Sequence, residues 1–376
     1  MSTSETKTTP TVVPIPDTLR CLTIEEYTKD TNKPSSSKVT SYTCQVVDKT
    51  VASLVSKPEQ VLLSVEYAAL TYADALVVLG RSGAAREYPI IPGADFVGVV
   101  LKDDSEQFDV GDRVIAHGGE LGRAIDGGFA TLCYAPLSTL TRLPTNLTNK
   151  RAAMMGSAAI TAMCSIIEIE KFNRTIKGKR EVLITGATGS VGGFCLAILS
   201  HLGYTCTALT RDAETHRTYL SRMGAHRTLS VEEFKKGASD DSLAEQKYIA
   251  VIDVLGNSFV STMLSQLHRG GIVVSCGCLA GDIASVSLLP FIRRGVRLVG
   301  VDSRFLRPAL KEQVIQRLSG AQDYLFDANV DGSTATNERS EGSLFTIISM
   351  DQVQANATKK LNGATAGLST TIDMRM

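Results

Sequence analysis

The stretch that most constrains the fold is LITGATGSVGG, residues 183–193, in which four glycines fall within eight positions directly behind an apolar run. The spacing Gly186, Gly189 and Gly192 follows the apolar EVLIT and precedes the helical pattern FCLAILSHL. Glycine permits a tight turn and lets another group approach the backbone closely. A strand, such a turn and a helix in this order predict a site where a dinucleotide diphosphate meets a helix N-terminus. An ordinary tight turn is the alternative interpretation.

The same rhythm continues after this turn. Apolar runs such as TCTALT, YIAVIDVLG, GIVVSCG and VRLVGVDS alternate with helical patterns such as AETHRTYLSRMG and SFVSTMLSQLHRG. Continuous apolar strands that alternate with helices are typical of a parallel sheet covered on both faces. We therefore predict an α/β, Rossmann-type, doubly wound domain over residues 156–305.

The first part of the chain has a different pattern. Residues 20–155 show short runs of period two separated by glycine turns, which predicts an antiparallel, partly barrel-like β domain. The tail, residues 306–376, contains a helix in ALKEQVIQRLSG and a strand and helix in LFTIISMDQVQANATKKLNG, and we expect it to rejoin the β domain. Residues 327–342 form a polar loop and residues 1–19 a flexible tail in this interpretation.

Composition excludes several classes of partner. The 39 basic residues balance 39 acidic ones, so nothing favours nucleic acid or an anionic membrane. The apolar runs are interrupted before the ~20 residues that a membrane span needs, and the N-terminus lacks a signal or transit pattern. Eight cysteines without a CxxC pair indicate a reducing compartment, and we expect a cytoplasmic, soluble protein.

The residue after the second strand of the α/β domain bears on the choice of nicotinamide. Thr210 ends TCTALT and Arg211 follows, near the place where an NAD site carries a carboxylate for the ribose. A guanidinium offers forked donors to a 2′-phosphate, so NADPH is favoured. In the alternative, Arg211 is a solvated charge and Asp212 binds the ribose.

A β domain before a doubly wound domain resembles the medium-chain dehydrogenase/reductase superfamily, whose alcohol dehydrogenases hold a catalytic zinc. The expected zinc ligands are absent here, because Thr71 and Tyr72 stand at the first place and Gly93, Ala94 and Asp95 at the second. Soft or imidazole ligands are what such a site needs. We therefore expect no metal and no zinc-dependent alcohol oxidation.

A closer resemblance is to the acryloyl-CoA reductase family, the YhdH and AcuI type often called quinone oxidoreductases. The motifs that carry it run in order from about residue 60 to 305, and include LTYADAL, REYPIIPGADFVG, DGGFA, TGATGSVGG, VIDVLG and LPFIRRGVRLVGVDS. The resemblance implies a GroES-like first domain, and NADPH-dependent reduction of the C=C bond of an enoyl thioester, enone or quinone. It also implies cofactor contacts at Ala75, Ser190, Val191, Gly192, Gly193, Thr210, Arg211, Cys278, Ile292 and Ser303.

Departures from the family pattern leave the acceptor open. The family's Asn and Lys around the tyrosine are Thr71 and Ala73 here, a terminal Gly-Arg is Gly367 and Leu368, and the chain has no Trp. Acryloyl-CoA is the first expectation. A quinone or alkenal reductase is one alternative, and a non-catalytic NADPH sensor is another.

Two side chains are candidates for catalysis. Tyr72 can donate a hydrogen bond to the substrate oxygen or relay a proton, or it is simply a packed aromatic. Arg86 can meet a coenzyme A phosphate or a thioester oxygen, or form a structural ion pair. Asp74 and Asp95 are expected to cap or pair within the β domain, and His117 is expected to be satisfied rather than catalytic.

The last apolar strand, in RRGVRLVGVDS, is expected at the edge of the parallel sheet. Exposed edges pair readily with a second copy, so we predict a homodimer. The alternative is an edge covered by the chain's own tail.

Overall fold

The computed structural model describes residues 14–29, 39–54, 57–81, 83–172, 181–236, 242–326, 344–363 and 367–376. Most of the predicted flexible tail and the whole predicted polar loop, residues 327–342, lie outside these ranges. In the described part, residues 14–18 are exposed and the first strand begins at Thr18, one residue before the predicted end of the tail.

The described residues form fifteen strands and nine α-helices. The strands are β1 Thr18–Lys29, β2 Val39–Thr50, β3 Gln60–Ala69, β4 Asp95–Lys102, β5 Arg113–His117, β6 Leu132–Pro136, β7 Leu140–Arg142, β8 Glu181–Thr185, β9 Thr205–Thr210, β10 Ala225–Ser230, β11 Tyr248–Asp253, β12 Leu267–Ser275, β13 Arg297–Gly300, β14 Phe345–Ile348 and β15 Ser369–Asp373. The helices are α1 Tyr72–Val78, α2 Asn149–Phe172, α3 Ser190–His201, α4 Arg217–Arg222, α5 Val231–Lys236, α6 Phe259–Ser265, α7 Leu289–Arg294, α8 Pro308–Leu325 and α9 Val353–Leu361.

The chain divides into two compact units. Unit 1 comprises Met1–Ala153, Ile348–Asn362 and Thr371–Met376, and unit 2 comprises Met154–Ile347 and Gly363–Thr370. Each unit has an apolar core of its own, as expected for a chain of 376 residues.

Unit 1 is built from antiparallel strands. β1 pairs with β2, and a second sheet runs in the order β15, β3, β4, β5, β7, with β6 also paired to β3. Fully buried side chains such as Leu63, Phe96 and Phe129 fill its core. The predicted antiparallel, GroES-like domain is therefore confirmed.

Unit 2 contains a six-stranded sheet in the order β10, β9, β8, β11, β12, β13. Every pair of neighbours in it is parallel. Numbered within the unit, this order is 3-2-1-4-5-6, the order of a doubly wound dinucleotide-binding sheet. The predicted α/β architecture is confirmed, and β13 lies at the edge of the sheet as expected.

One part of the predicted domain division needs correction. The sequence predicts that all of residues 306–376 belong to the first domain, but the described residues 306–326, 344–347, 363 and 367–370 lie in unit 2. Helix α8 contacts α3, and Arg317 makes two hydrogen bonds of 2.6 and 2.8 Å to Glu170 of α2. The helical period shows that α8 has an apolar face but does not say which domain covers that face.

Helix α2 is the one helix in the described ranges that is long and apolar enough to cross a membrane by length and composition. Its backbone leaves helical geometry at Gly156, where φ is 48° and ψ is −157°. The part after this break, residues 157–172, falls short of the ~20 residues of a span. In addition, 83% of its most apolar window is buried inside the protein, as in the core helix of a soluble protein.

Candidate functional sites in the two units

The glycine turn between β8 and α3 has the geometry that its sequence predicts. Gly186 has a φ of +56°, and a Cβ there would lie 2.4 Å from Cγ2 of Val254. The amide of Gly189 donates to the carbonyl of Gly186 at 2.9 Å. A Cβ at Gly192 would lie 2.6 Å from that same carbonyl oxygen. Side chains are therefore excluded at two positions, and the turn brings its backbone to the N-terminus of the twelve-residue helix α3.

A buried carboxylate fixes the neighbouring loop against this turn. Asp253 ends β11 and is fully buried, and its Oδ1 accepts a hydrogen bond of 2.9 Å from the hydroxyl of Thr185. The same carboxylate accepts the amides of Leu255 and Gly256, each at 3.0 Å. Asp253 is not among the residues predicted from the sequence, although a carboxylate at the end of an apolar strand is a recognisable signal.

The end of β9 carries the candidate 2′-phosphate residues. Thr210 is buried, whereas Arg211 is exposed. Gly363 approaches Arg211 so closely that a Cβ at Gly363 would lie 2.7 Å from a terminal guanidinium nitrogen. The hydroxyl of Thr215 and its amide both donate to the carboxylate of Asp212, the amide at 3.0 Å, and these two hydrogen bonds lower the pKa of Asp212. Asp212 is thus engaged in a local turn, which favours Arg211 over Asp212 as the ribose-phosphate residue.

Most of the candidate cofactor residues of unit 2 follow the carboxyl ends of the parallel strands and so lie at the same end of the sheet. β8, β9, β11 and β12 are adjacent and parallel, so the turn after β8, Thr210 after β9 and the loop after β12 all follow carboxyl ends of strands. Cys278 is exposed in the loop after β12, and Ile292 of α7 is 73% exposed. Ser303 stands apart from the turn in sequence, and its hydroxyl lies 2.7 Å from that of Thr161.

In unit 1, the sequence LTYADAL forms the start of α1. Thr71 caps the helix, because its hydroxyl accepts the amide of Asp74 while the Asp74 carboxylate accepts the amide of Thr71. Tyr72, the first helical residue, is 48% exposed. Ala75 is fully buried in the core of the unit. Of these two candidate residues, Tyr72 is therefore the one whose side chain is placed to meet a ligand.

Asp74, Asp95 and His117 form a buried network of titratable side chains next to the start of α1. Asp74 accepts the hydroxyl of Thr71 at 2.5 Å and the amide of Ala94 at 3.1 Å, which ties the start of α1 to the segment before β4. Burial, and next the charge of Asp95, raise the pKa of Asp74 to about 6. The Nδ1 atom of His117 lies 2.7 Å from Oδ1 of Asp95, and both side chains are buried. Asp74 and Asp95 cap and pair, and His117 is satisfied, as the sequence analysis expected.

Arg86 lies in a loop that is hydrogen-bonded to the loop containing Glu120 and Arg123. Its guanidinium lies 3.4 Å from Oε1 of Glu120, and its amide donates to the carbonyl of Arg123 at 2.7 Å. Arg123 in turn donates to the carbonyl of Ala84 at 2.8 Å. The contact with Glu120 is a structural ion pair, one of the two alternatives that the sequence left open for Arg86. The guanidinium nevertheless remains largely exposed, so a ligand can still reach it.

The donor groups at the positions where zinc ligands were sought do not fit a metal ion. Within the described ranges, no group of three or more His, Cys, Asp or Glu side chains is placed to hold one. At the positions where zinc ligands were sought, the hydroxyl of Thr71 is engaged with Asp74 and the carboxylate of Asp95 with His117.

Two protein-family models match the chain. Residues 57–145 match the alcohol dehydrogenase GroES-like domain, and residues 190–320 match the zinc-binding dehydrogenase model. The first lies in unit 1 and the second in unit 2. The two matches agree with the antiparallel and the parallel sheet described above.

Several individual proteins are similar to this chain over most of their length. The probable acrylyl-CoA reductase AcuI of Escherichia coli is 34% identical over 277 residues, which cover 72% of this chain and 84% of that protein. The putative quinone oxidoreductase YhfP of Bacillus subtilis is 34% identical over 271 residues, covering 72% of this chain and 81% of that protein. The crystal structure of YhfP with NAD bound superimposes with a TM-score of 0.81 and 27% identity, covering 95% of this chain and 99% of that one. The yhdH oxidoreductase of Salmonella enterica in complex with NADP gives a TM-score of 0.79 and 28% identity, covering 94% and 99%.

Proposed function

Because this chain belongs to the acryloyl-CoA reductase family, the YhdH and AcuI type of the medium-chain dehydrogenase/reductase superfamily, we propose that it reduces the C=C bond of a small 2-enoyl-CoA such as acryloyl-CoA. The chain is an NADPH-dependent oxidoreductase that acts on a small molecule, and the identity of the acceptor is the proposed part. The observation that carries it is the similarity to AcuI over 84% of that relative's length.

The chemistry is a conjugate reduction. NADPH, when bound, supplies a hydride to the β-carbon of the enoyl thioester. The C=C electrons move toward the thioester carbonyl, so negative charge develops on its oxygen, and a proton is added at the α-carbon to give propanoyl-CoA. Donors aimed at such an oxygen stabilise the transition state strongly.

Residues of both units have roles in the proposal. Gly186, Gly189 and Gly193 shape the turn, the backbone amides of residues 190–192 donate to the diphosphate, and Arg211 binds the 2′-phosphate. The amides of Gly189 and Gly193 are engaged with the carbonyls of Gly186 and Gly189. Cys278, Ile292 and Ser303 line the nicotinamide side. Ala75 offers its backbone carbonyl oxygen, because its side chain is buried and its amide donates to the carbonyl of Thr71. The hydroxyl of Tyr72 donates a hydrogen bond to the thioester oxygen, or it relays the proton that is added at the α-carbon.

An acceptor panel tests the proposal. Purified protein is mixed with NADPH and, in separate reactions, acryloyl-CoA, a free alkenal and a quinone, and the loss of the reduced-nicotinamide absorbance is followed. We expect the highest kcat/KM with acryloyl-CoA.

In the same assay Tyr72→Phe is expected to lower kcat by roughly 10–100-fold while the Kd for NADPH stays the same, because the lost hydroxyl acts on the acceptor. An unchanged kcat would remove Tyr72 from the mechanism.

A quinone or alkenal reductase is the second candidate. The name of YhfP and the departures at Thr71 and Ala73 favour it. A higher kcat/KM for quinone or alkenal than for acryloyl-CoA would establish it in place of the first. Binding of NADPH without consumption by any acceptor would instead indicate the non-catalytic sensor.

We also propose that the protein resides in the cytoplasm. All eight cysteines are free thiols, which suits a reducing compartment such as the cytoplasm. Fractionation of the source cells with an antibody to the chain tests this, and recovery in an oxidising compartment or with membranes would contradict it.

A further inference from the structure

The side chain of Tyr219, on helix α4, has an unusual environment. Its hydroxyl oxygen is buried and has no hydrogen-bond partner among the described residues. Burial also raises the pKa of Tyr219, so the hydroxyl keeps its proton and remains a donor. Most buried side-chain polar atoms have a partner, because an unsatisfied one costs about 1–3 kcal/mol. An orphaned donor of this kind needs an explanation.

The hydroxyl lies against the glycine turn. A Cβ built on Gly193 would lie 3.0 Å from the Tyr219 oxygen and 2.6 Å from Cδ2 of Leu368. Gly193 is in the first turn of α3, and its amide makes the first bond of the helix, to the carbonyl of Gly189 at 2.9 Å. Because position 193 carries no side chain, it provides no acceptor for Tyr219. Leu368, which is fully buried, provides none from its side chain either.

We propose that Tyr219 is a further cofactor-binding residue, whose hydroxyl donates a hydrogen bond to the diphosphate bridge of the bound nicotinamide dinucleotide. This inference rests on the proposed placement of that diphosphate at the glycine turn. The backbone amides of residues 190–192 at the start of α3 and the hydroxyl of Tyr219 then donate to the same anion. An ionised phosphate oxygen is a stronger acceptor than a neutral group, so the bond compensates for the desolvated hydroxyl.

This role has a thermodynamic signature that a packing role lacks. Without cofactor, the unsatisfied hydroxyl destabilises the fold, so removing it leaves stability unchanged or raises it. With cofactor, the same change removes a hydrogen bond to a charged group. Tyr219→Phe is therefore expected to weaken cofactor binding without lowering the Tm of the cofactor-free protein.

The experiment compares Tyr219→Phe with the wild type and with Tyr324→Phe. Tyr324 stacks on His201 at the other end of α3, with ring centroids 3.7 Å apart, so it is a matched hydroxyl deletion away from the turn. The Kd values for NADPH and for NADH are measured by titration calorimetry, and the Tm is measured without cofactor. We expect both Kd values to rise by roughly 10–100-fold in Tyr219→Phe and to stay unchanged in Tyr324→Phe.

Each other outcome overturns the inference. Unchanged Kd values mean that the hydroxyl does not contact the cofactor. A loss for NADPH alone means that it contacts the 2′-phosphate and not the diphosphate. A lower Tm without cofactor, with equal loss of both, means that Tyr219 acts through packing. Failure of the proposed function is distinguishable, since in that case the wild type itself would bind cofactor but not reduce the acceptors.

Discussion

At the scale of single residues, Arg211 is the side chain proposed to select the cofactor. It is exposed at the end of β9, and Asp212 beside it is engaged with Thr215. Arg211→Ala removes a charge-assisted contact that only NADPH can make, so the preference for NADPH over NADH, taken as the ratio of their Kd values, is expected to fall by about 10–100-fold. Arg269→Ala, at the opposite end of the sheet where β12 begins, is the matched control. An unchanged ratio in Arg211→Ala would contradict the assignment.

The buried carboxyl of Asp74 makes stability depend on pH. Its pKa is raised to about 6 in the folded protein from 3.8, so between these values the folded state binds more protons than the unfolded state. The contribution of Asp74 to stability is therefore lost as the pH rises through this window, by about 1–3 kcal/mol. Asp95 and Lys360 interact electrostatically with Asp74, and His117 pairs with Asp95.

Asp74→Asn tests this dependence. The free energy of unfolding is measured from pH 4 to pH 7 for both proteins, and the wild type is expected to lose stability relative to the variant as the pH rises. Contributions of groups that do not interact with Asp74 are the same in both proteins and cancel in the difference. Parallel profiles for the two proteins would show that Asp74 does not titrate in this range.

The sequence predicts only part of the site at this scale. Tyr72 and Asp74 follow from the motif and the capping pattern, and the structure places one at the surface and the other in a capping box. Tyr219 gave no signal, because its significance comes from an absent side chain at Gly193, 26 positions earlier in the chain. Asp253 was missed because its partner Thr185 lies on another strand.

At the scale of elements, the turn between β8 and α3 depends on glycine at position 192. In Gly192→Ala the new methyl group would lie 2.6 Å from the Gly186 carbonyl oxygen and 2.7 Å from Cα of Ala187. These are backbone atoms that cannot rotate away, so we expect a loss of about 1–3 kcal/mol in stability and weaker binding of both nicotinamides. Thermal unfolding and calorimetric titration measure the two effects.

Gly320→Ala is the control for this substitution. Gly320 lies in α8, and a Cβ there would meet nothing within 4 Å. Alanine is the better helix former, so the variant is expected to gain about 0.5–1 kcal/mol and to bind cofactor normally. If Gly192→Ala behaved in the same way, the turn would not need glycine at that position.

Elements were predictable where periodicity defines them. The alternation of apolar strands and helices after residue 181 predicts the parallel sheet, and the edge position of β13 follows from its place in that order. Helix α8 was predicted as a helix but assigned to the wrong unit. Its pairing with α3 and the bond between Arg317 and Glu170 are long-range contacts that no local pattern encodes.

At the scale of the whole molecule, we propose a homodimer that pairs through β13. Arg297, Leu298 and Gly300 of this edge strand are exposed, so the described part of the chain's own tail does not cover it. Leu298 is 42% exposed and gives this edge strand an apolar side chain at the surface. Open strand edges with apolar side chains favour pairing with a second copy.

A charge on the edge strand tests the dimer. Leu298→Lys places a charge at the centre of the proposed contact and is expected to convert the dimer to a monomer, measured by light scattering after size-exclusion chromatography. Leu289→Lys, on α7 rather than on the strand, is the comparison and is expected to have the smaller effect. A wild-type monomer at micromolar concentration would contradict the proposal.

We propose that this chain transfers hydride from NADPH to the β-carbon of an enoyl thioester, and isotope transfer tests this most directly. Acryloyl-CoA is incubated with the protein and with NADPH deuterated at either face of nicotinamide C4, and the propanoyl-CoA is analysed by mass spectrometry and NMR. We expect one of the two labelled cofactors to place a single deuterium at C3 of the propanoyl group. Deuterium at C2, or no transfer from either cofactor, would contradict the claim.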